Sequence, residues 1–206
     1  LPGLSDERRP IIAGGLMVME AAFDALGLTR LAVSKAAMRE GILHDMAGRG
    51  GPDPPREGSV TALTEPYGID RAQAERVERS ALRLFDQVAQ DWALDADDRL
   101  MLIRAARLHE LGLAIAHSKY HLHGAYVIEN SDIAGFSQQQ QQFLAALVRT
   151  HRRRVHRSDF DALPDRLLPA ARRLAALLRV AVVLHRARDS DPIPELGARA
   201  GKDGLV

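Results

Sequence analysis

Between residues 60 and 190 the apolar side chains recur every three to four positions and never alternate for the length of a strand. That pattern confines this part of the chain to packed helices. The first run opens at Ile69 and Asp70 and continues through Val77, Ala81, Leu84, Phe85 and Val88, one buried face of one helix. Asp95 to Leu111 reads as a second helix, with Asp95, Asp97 and Asp98 in its first turn, where the helix dipole favours acids, and Gly112 as its stop. Lys119 to Ile128 is a shorter helix. Ser137 caps the next, whose five glutamines are polar helix formers ahead of the apolar run FLAALV. Leu167 to Ala187 closes the set. The body is therefore all-α, packed by Leu, Ala and Val, with Trp92 as an anchor at the edge of the core.

The N-terminal quarter reads differently. Pro10 to Leu26 is an apolar-periodic helix that ends at Gly27, and its Gly14 and Gly15 suggest close backbone packing. Arg30 to Val33 is a short β-prone run, Ser34 can cap, and Lys35 to Met46 reads as a helix carrying Gly41. Helix, short strand, helix is the expected edge of an α/β domain. The stretch GRGGPDPPREGS, residues 48 to 59, holds four Gly and three Pro, too many for lasting regular structure. Four segments are expected: residues 1–49, a linker at 50–59, the helical domain at 60–190, and a C-terminal piece at 191–206 whose Leu205 and Val206 read as the start of a strand.

Composition narrows the classes of function. The chain of 206 residues has no cysteine, which excludes disulfides, thiolate metal sites and a cysteine nucleophile, and suits a reducing cytoplasm. No apolar run reaches the roughly 18 residues a membrane span requires, and the first ten residues lack a signal pattern, so a cytoplasmic fragment without membrane partners is expected. Net charge is only +1, yet Arg149 to Arg188 carries eleven arginines against three aspartates. That asymmetry calls for an anionic partner. Nucleic acid fits poorly, because aromatics are 4% of the chain and are not interleaved with the basic run.

Residues 108–126, LHELGLAIAHSKYHLHGAY, contain four of the eight histidines. The zinc-protease spacing HExxH is not met: Leu113 stands where the second histidine belongs. His109 followed by Glu110 at a helix end resembles the His-Asp pair of HD phosphohydrolases, in which further histidines and an acid from other helices complete a divalent-metal site. By position, that family's first histidine falls near Gln73 and its last acid near Val182; Gln is a weak ligand and Val is none. His109, Glu110, His123 and His151 are thus read as degenerate metal positions, now held by hydrogen bonds, and no metal is expected there.

The motifs GGLMVME, VSKAAMREGIL, LHELGL, HSKYHLHGAY, NSDIAGFS and VRTHRR, in this order, closely resemble the exopolyphosphatase and guanosine pentaphosphate phosphatase (Ppx/GppA) family. Residues 4–49 are similar to the tail of that family's second actin-like (ribonuclease H-like) domain, and residues 108–153 to its HD-like helical domain. The resemblance implies a mainly α fold with a small α/β remnant in front of it. It implies a Mg2+-dependent hydrolase of polyphosphate or pppGpp as the parent enzyme, whose catalytic acid and phosphate loops lie in actin-like lobes that these motifs do not include. The fragment alone is then non-catalytic, with no cofactor of its own.

What remains for the helical domain is to bind and position polyphosphate or pppGpp. Arginine suits this task, because its planar fork is bidentate toward phosphate. Arg149, Arg152, Arg153, Arg154 and Arg157 are the expected polyanion contacts, with Lys119, His121 and His123 as a second patch. Two alternatives stand beside this reading: an active HD metallophosphohydrolase on nucleotides, and an assembly module that forms a homodimer.

Overall fold

The computed structural model describes residues 5, 7, 9–31, 54–188, 196–201 and 204–206. These fall in two compact units that divide between Leu43 and His44. The first contains helix α1, Arg9–Leu26, which is followed by Gly27 at φ +61°, the left-handed position glycine fills at a helix end. Gly14 and Gly15 do not serve close packing among the described residues: a Cβ on either would meet nothing within 4 Å. Ile11, Leu16, Met17 and Val18 on the same helix are exposed as well. Arg30 and Leu31 lie outside any helix or strand. The rest of the β-prone run, the helix expected at Lys35 to Met46 and the start of the linker lie outside the described residues.

The second unit is an array of helices: α2 Pro54–Thr64, α3 Arg71–Val88, α4 Ala96–Leu108, α5 Tyr120–Asn130, α6 Gln138–Thr150 and α7 Leu168–Leu184. Short 3-10 turns stand at Leu111–Ala114, Arg157–Phe160 and Asp165–Leu167. One continuous core joins them, from Val77 and Leu84 on α3 through Leu102 and Leu108 on α4 and Leu144 and Leu147 on α6 to Leu174 and Leu178 on α7. No strand occurs among the described residues. The expected start at Leu205 is met only by an isolated antiparallel bridge, Ala200 to Leu205, flanked by paired Arg199 and Val206 amides and carbonyls.

Three boundaries differ from the sequence reading, each for a local reason. Helix α2 begins inside the expected linker, because Pro54 and Pro55 occupy the first helical turn, where a missing N–H costs nothing and φ is already set. It is then tied down: Arg56 Nε donates to the Gly135 carbonyl at 2.9 Å, Ser59 Oγ donates to that of Ala134 at 2.9 Å, and Val60 enters the core. Helix α4 stops at Leu108, short of Gly112, where His109 takes the cap position and its ring binds the Ala106 carbonyl. Gly112 instead permits a close crossing. A Cβ there would collide with the Tyr120 carbonyl oxygen and stand 2.5 Å from the Gly124 nitrogen.

Ser137 caps its helix as expected, whereas Asp95, read as part of the first turn, stands one position earlier as the N-cap of α4. Asp95 and Asp98 form a reciprocal capping box on α4, and Ser137 and Gln140 form one on α6. Trp92 is buried, and Arg173 covers it, its Cζ 5.8 Å from the ring centre and its Nη1 donating to the Trp92 carbonyl at 2.6 Å.

Candidate functional site: two arginine-lined clefts

Helices α4 and α6 end side by side, each on a histidine. His109 caps α4 and donates Nδ1–H to the Ala106 carbonyl at 2.6 Å; His151 caps α6 and donates Nδ1–H to the Val148 carbonyl at 2.6 Å. The two rings meet edge-on, centroids 5.5 Å apart. Both are about 1% exposed. The negative end of a helix dipole favours imidazolium, but only by about 0.3–2 kcal/mol, and burial outweighs it. His109 is pushed down to about 4 by loss of water and then by the Arg188 charge, and His151 well below the usual histidine range by loss of water and then by its neighbour His109.

A cleft of about 530 Å3 opens over this pair. Its rim carries Arg152 and Arg153 from the segment after α6, Arg179 and Arg186 from the α7 side, and Arg188 beyond. Arg152 lies over the Tyr120 ring at 4.5 Å. Arg179 has a structural share, since it donates to the Thr150 and Arg153 carbonyls at 2.6 and 2.7 Å and closes the end of α6. Arg188 pairs with Glu110 at 2.5 Å and with Asp70, the N-cap of α3, at 3.2 Å. Burial raises Glu110 while the Arg188 guanidinium opposes it.

A second cleft of about 520 Å3 adjoins the first and shares His117, Arg152 and Arg153 with it. Lys119, Arg149 and Arg154 complete its positive lining, with His121 beside them and Asp159 opposed. His121 is buried and held below its ordinary value by that burial and then by Arg152 and Arg153. Lys119 and Arg153 both have left-handed backbones, φ +56° and +64°, so the segment that presents these cations is bent at non-glycine positions.

The expected contact residues therefore divide. Arg152, Arg153, Arg154, Lys119 and His121 converge on the clefts. Arg149 lines the second but is turned to Glu129, 2.5 Å away. Arg157 and His123 line neither, because Arg157 sits in the 3-10 turn and His123 is two positions, roughly 200°, around α5 from His121. The imidazole that joins His109 and His151 is accordingly His121, 6.2 Å from His151, and not His123. Arg179, Arg186 and Arg188 were missed, although residues 179, 182, 183 and 186 follow helical spacing along one face.

These groups do not fit a divalent ion. Gln73 is spent on the His185 carbonyl at 2.8 Å and on Arg76, and Val182 is apolar. Glu110 is neutralised by Arg188, and no three His, Asp or Glu side chains converge in metal-holding geometry among the described residues. A cation would have to be dehydrated beside a ring of arginines with no carboxylate left to offset the cost.

The comparisons with known proteins agree with this architecture. Residues 56–203 match the family model described as Ppx/GppA phosphatase, domain III, and residues 1–49 match that of the Ppx/GppA phosphatase family. The whole chain is 34% identical over 206 residues to the guanosine-5'-triphosphate,3'-diphosphate pyrophosphatase of Pseudoalteromonas translucida. It is 32% identical over 207 residues to the protein of the same name from Aeromonas hydrophila. It spans 41% and 42% of those relatives' lengths. No helix among the described residues is long and apolar enough to cross a membrane. With a helical body of this topology matched over residues 56–203 and the preceding segment matched over 1–49, the chain belongs to the Ppx/GppA phosphatase family.

Proposed function

We propose that this chain is the C-terminal part of a phosphoanhydride hydrolase acting on polyphosphate or pppGpp, and that its helical domain holds and positions the polyanion. Hydrolysis, with the Mg2+ it uses, belongs to parts of the longer enzyme that this chain does not supply, so the chain by itself is non-catalytic. The observation that carries this reading is the pair of adjoining clefts, in which Arg152 and Arg153 are shared and Arg186, Arg154 and Lys119 extend the positive lining to either side. Such a row offers successive bidentate contacts to successive phosphates. Neutral ligands gain nothing from it. The proposed setting is cytoplasmic, and the proposed assembly is a homodimer, which would show as a doubled mass in sedimentation at micromolar concentration.

The test is titration of the purified chain with linear polyphosphate. Arg152→Ala with Arg153→Ala removes the shared contacts and is expected to weaken binding by about tenfold or more, at roughly 1.5–3 kcal/mol for each charged hydrogen bond lost. Arg157→Ala, outside both clefts, is expected to leave affinity within twofold. Equal effects of the two variants would contradict the reading.

A further inference from the structure

Three of the arginines that line the clefts are engaged through their N–H groups within the protein. Arg179 donates to the Thr150 and Arg153 carbonyls, Arg188 is held by Glu110 and Asp70, and Arg149 by Glu129. Arg152, which belongs to both clefts, is held differently. Its Cζ lies 4.5 Å from the centre of the Tyr120 ring, where the negative face of the ring attracts a cation. A contact of that kind leaves most of the guanidinium N–H groups to other acceptors. Arg153 lines the same two clefts, so like charge opposes the placement of Arg152, and the ring face offsets that repulsion.

Tyr120 is itself fixed from several directions. Its backbone carbonyl crosses against Gly112, where a Cβ would not fit. Its ring packs on the buried His151, centroids 5.4 Å apart, and stands edge-on to His121 at 6.3 Å. His109 backs His151 in turn, edge-on at 5.5 Å. The Tyr120 hydroxyl reaches the His151 Nε2 at 3.4 Å, a long contact with a nitrogen that accepts because Nδ1–H is donated to the Val148 carbonyl. The main chain on either side of Arg152 is tied down as well, by the two carbonyls that Arg179 holds. A guanidinium already ordered on a fixed ring loses less rotamer freedom on meeting an anion than one that moves in water.

We propose that Tyr120 is a positioning residue: its ring, backed by His151, lays the Arg152 guanidinium at the junction of the two clefts with its donor fork turned to the anion. The inference rests on the anion-gripping reading above and adds to it the residue through which one shared contact is set. It also gives the buried histidine pair a task that needs no metal, the support of an aromatic platform from behind.

The experiment is a double-mutant cycle on the linear-polyphosphate affinity of the 206-residue chain at one ionic strength. Tyr120→Leu is expected to weaken binding about three- to fivefold, the fold-change of a lost cation–π contact, and Tyr120→Phe, which keeps the ring, to weaken it less. In an Arg152→Ala background Tyr120→Leu is expected to add nothing. In an Arg154→Ala background, where the altered arginine lines the second cleft alone, it is expected to keep its full effect. Equal effects in the two backgrounds overturn the proposal, because a tyrosine that only supports the fold would weaken both alike. Should Tyr120→Leu fail to fold, the side-chain NMR signals of the unaltered chain decide. The Arg152 Nε–H, assigned by its loss in Arg152→Lys, is expected upfield of the other arginines through the ring current of Tyr120, and a position among them overturns the proposal. Binding with equal effects in both backgrounds removes the positioning role alone, whereas a chain that binds no polyphosphate removes the gripping reading and this role with it.

Discussion

Gly112 is the residue on which the local geometry of the site turns. Its missing side chain lets the 3-10 turn lie against the start of α5, which brings Tyr120 and His121 to the ends of α4 and α6. Gly112→Ala puts a methyl into backbone atoms that cannot swing aside, so it is expected to lower stability by about 2–3 kcal/mol, read as a shift in the urea midpoint. His109 makes a second prediction at this scale. Its folded-state value, about 4, lies below the unfolded 6.5, so between these values the unfolded chain binds more protons. Stability contributed by neutral burial is present above pH 6.5 and drains as pH falls toward 4. The unfolding free energy from urea titration is expected to fall through that window by an amount on the order of 3 kcal/mol from this residue, and His109→Gln to flatten the fall.

At the scale of elements, most helices were readable because local signals and tertiary packing agree. Asp95, Ser137 and Gly27 mark ends that their chemistry dictates, and the three-and-four spacing on α3 is the buried face itself. The early stop of α4 was not readable, since it depends on a histidine ring reaching back to a carbonyl and on Gly112 being claimed by a distant helix. The site divides in the same way. A contiguous run such as HRRRVHR announces a charged surface, but Arg179 is hidden among the leucines and valines of α7 and Arg186 stands alone just past its end, and the choice between His121 and His123 is a matter of helix phase. Ser137→Ala tests the capping assignment: loss of the box on α6 is expected to cost about 1 kcal/mol in chemical unfolding without changing polyphosphate affinity, because the cap lies at the opposite end of α6 from His151.

For the whole molecule, a near-neutral net charge conceals a strongly polarised distribution, and the fold gathers the positive side around the ends of α4, α6 and α7. Gln73 and Val182 line the first cleft, and Arg188 holds its acid, Glu110. On the function proposed above, this cleft grips anions that another part of the enzyme cleaves. The proposed grip is electrostatic, and that property would separate it from ordinary apolar recognition. The direct measurement is polyphosphate affinity of the 206-residue chain as a function of salt. Affinity is expected to fall at least about tenfold between roughly 50 and 200 mM salt, with a shallower slope once Arg152 and Arg153 are removed. Binding that is absent at low salt, or unchanged across that range, would contradict the account.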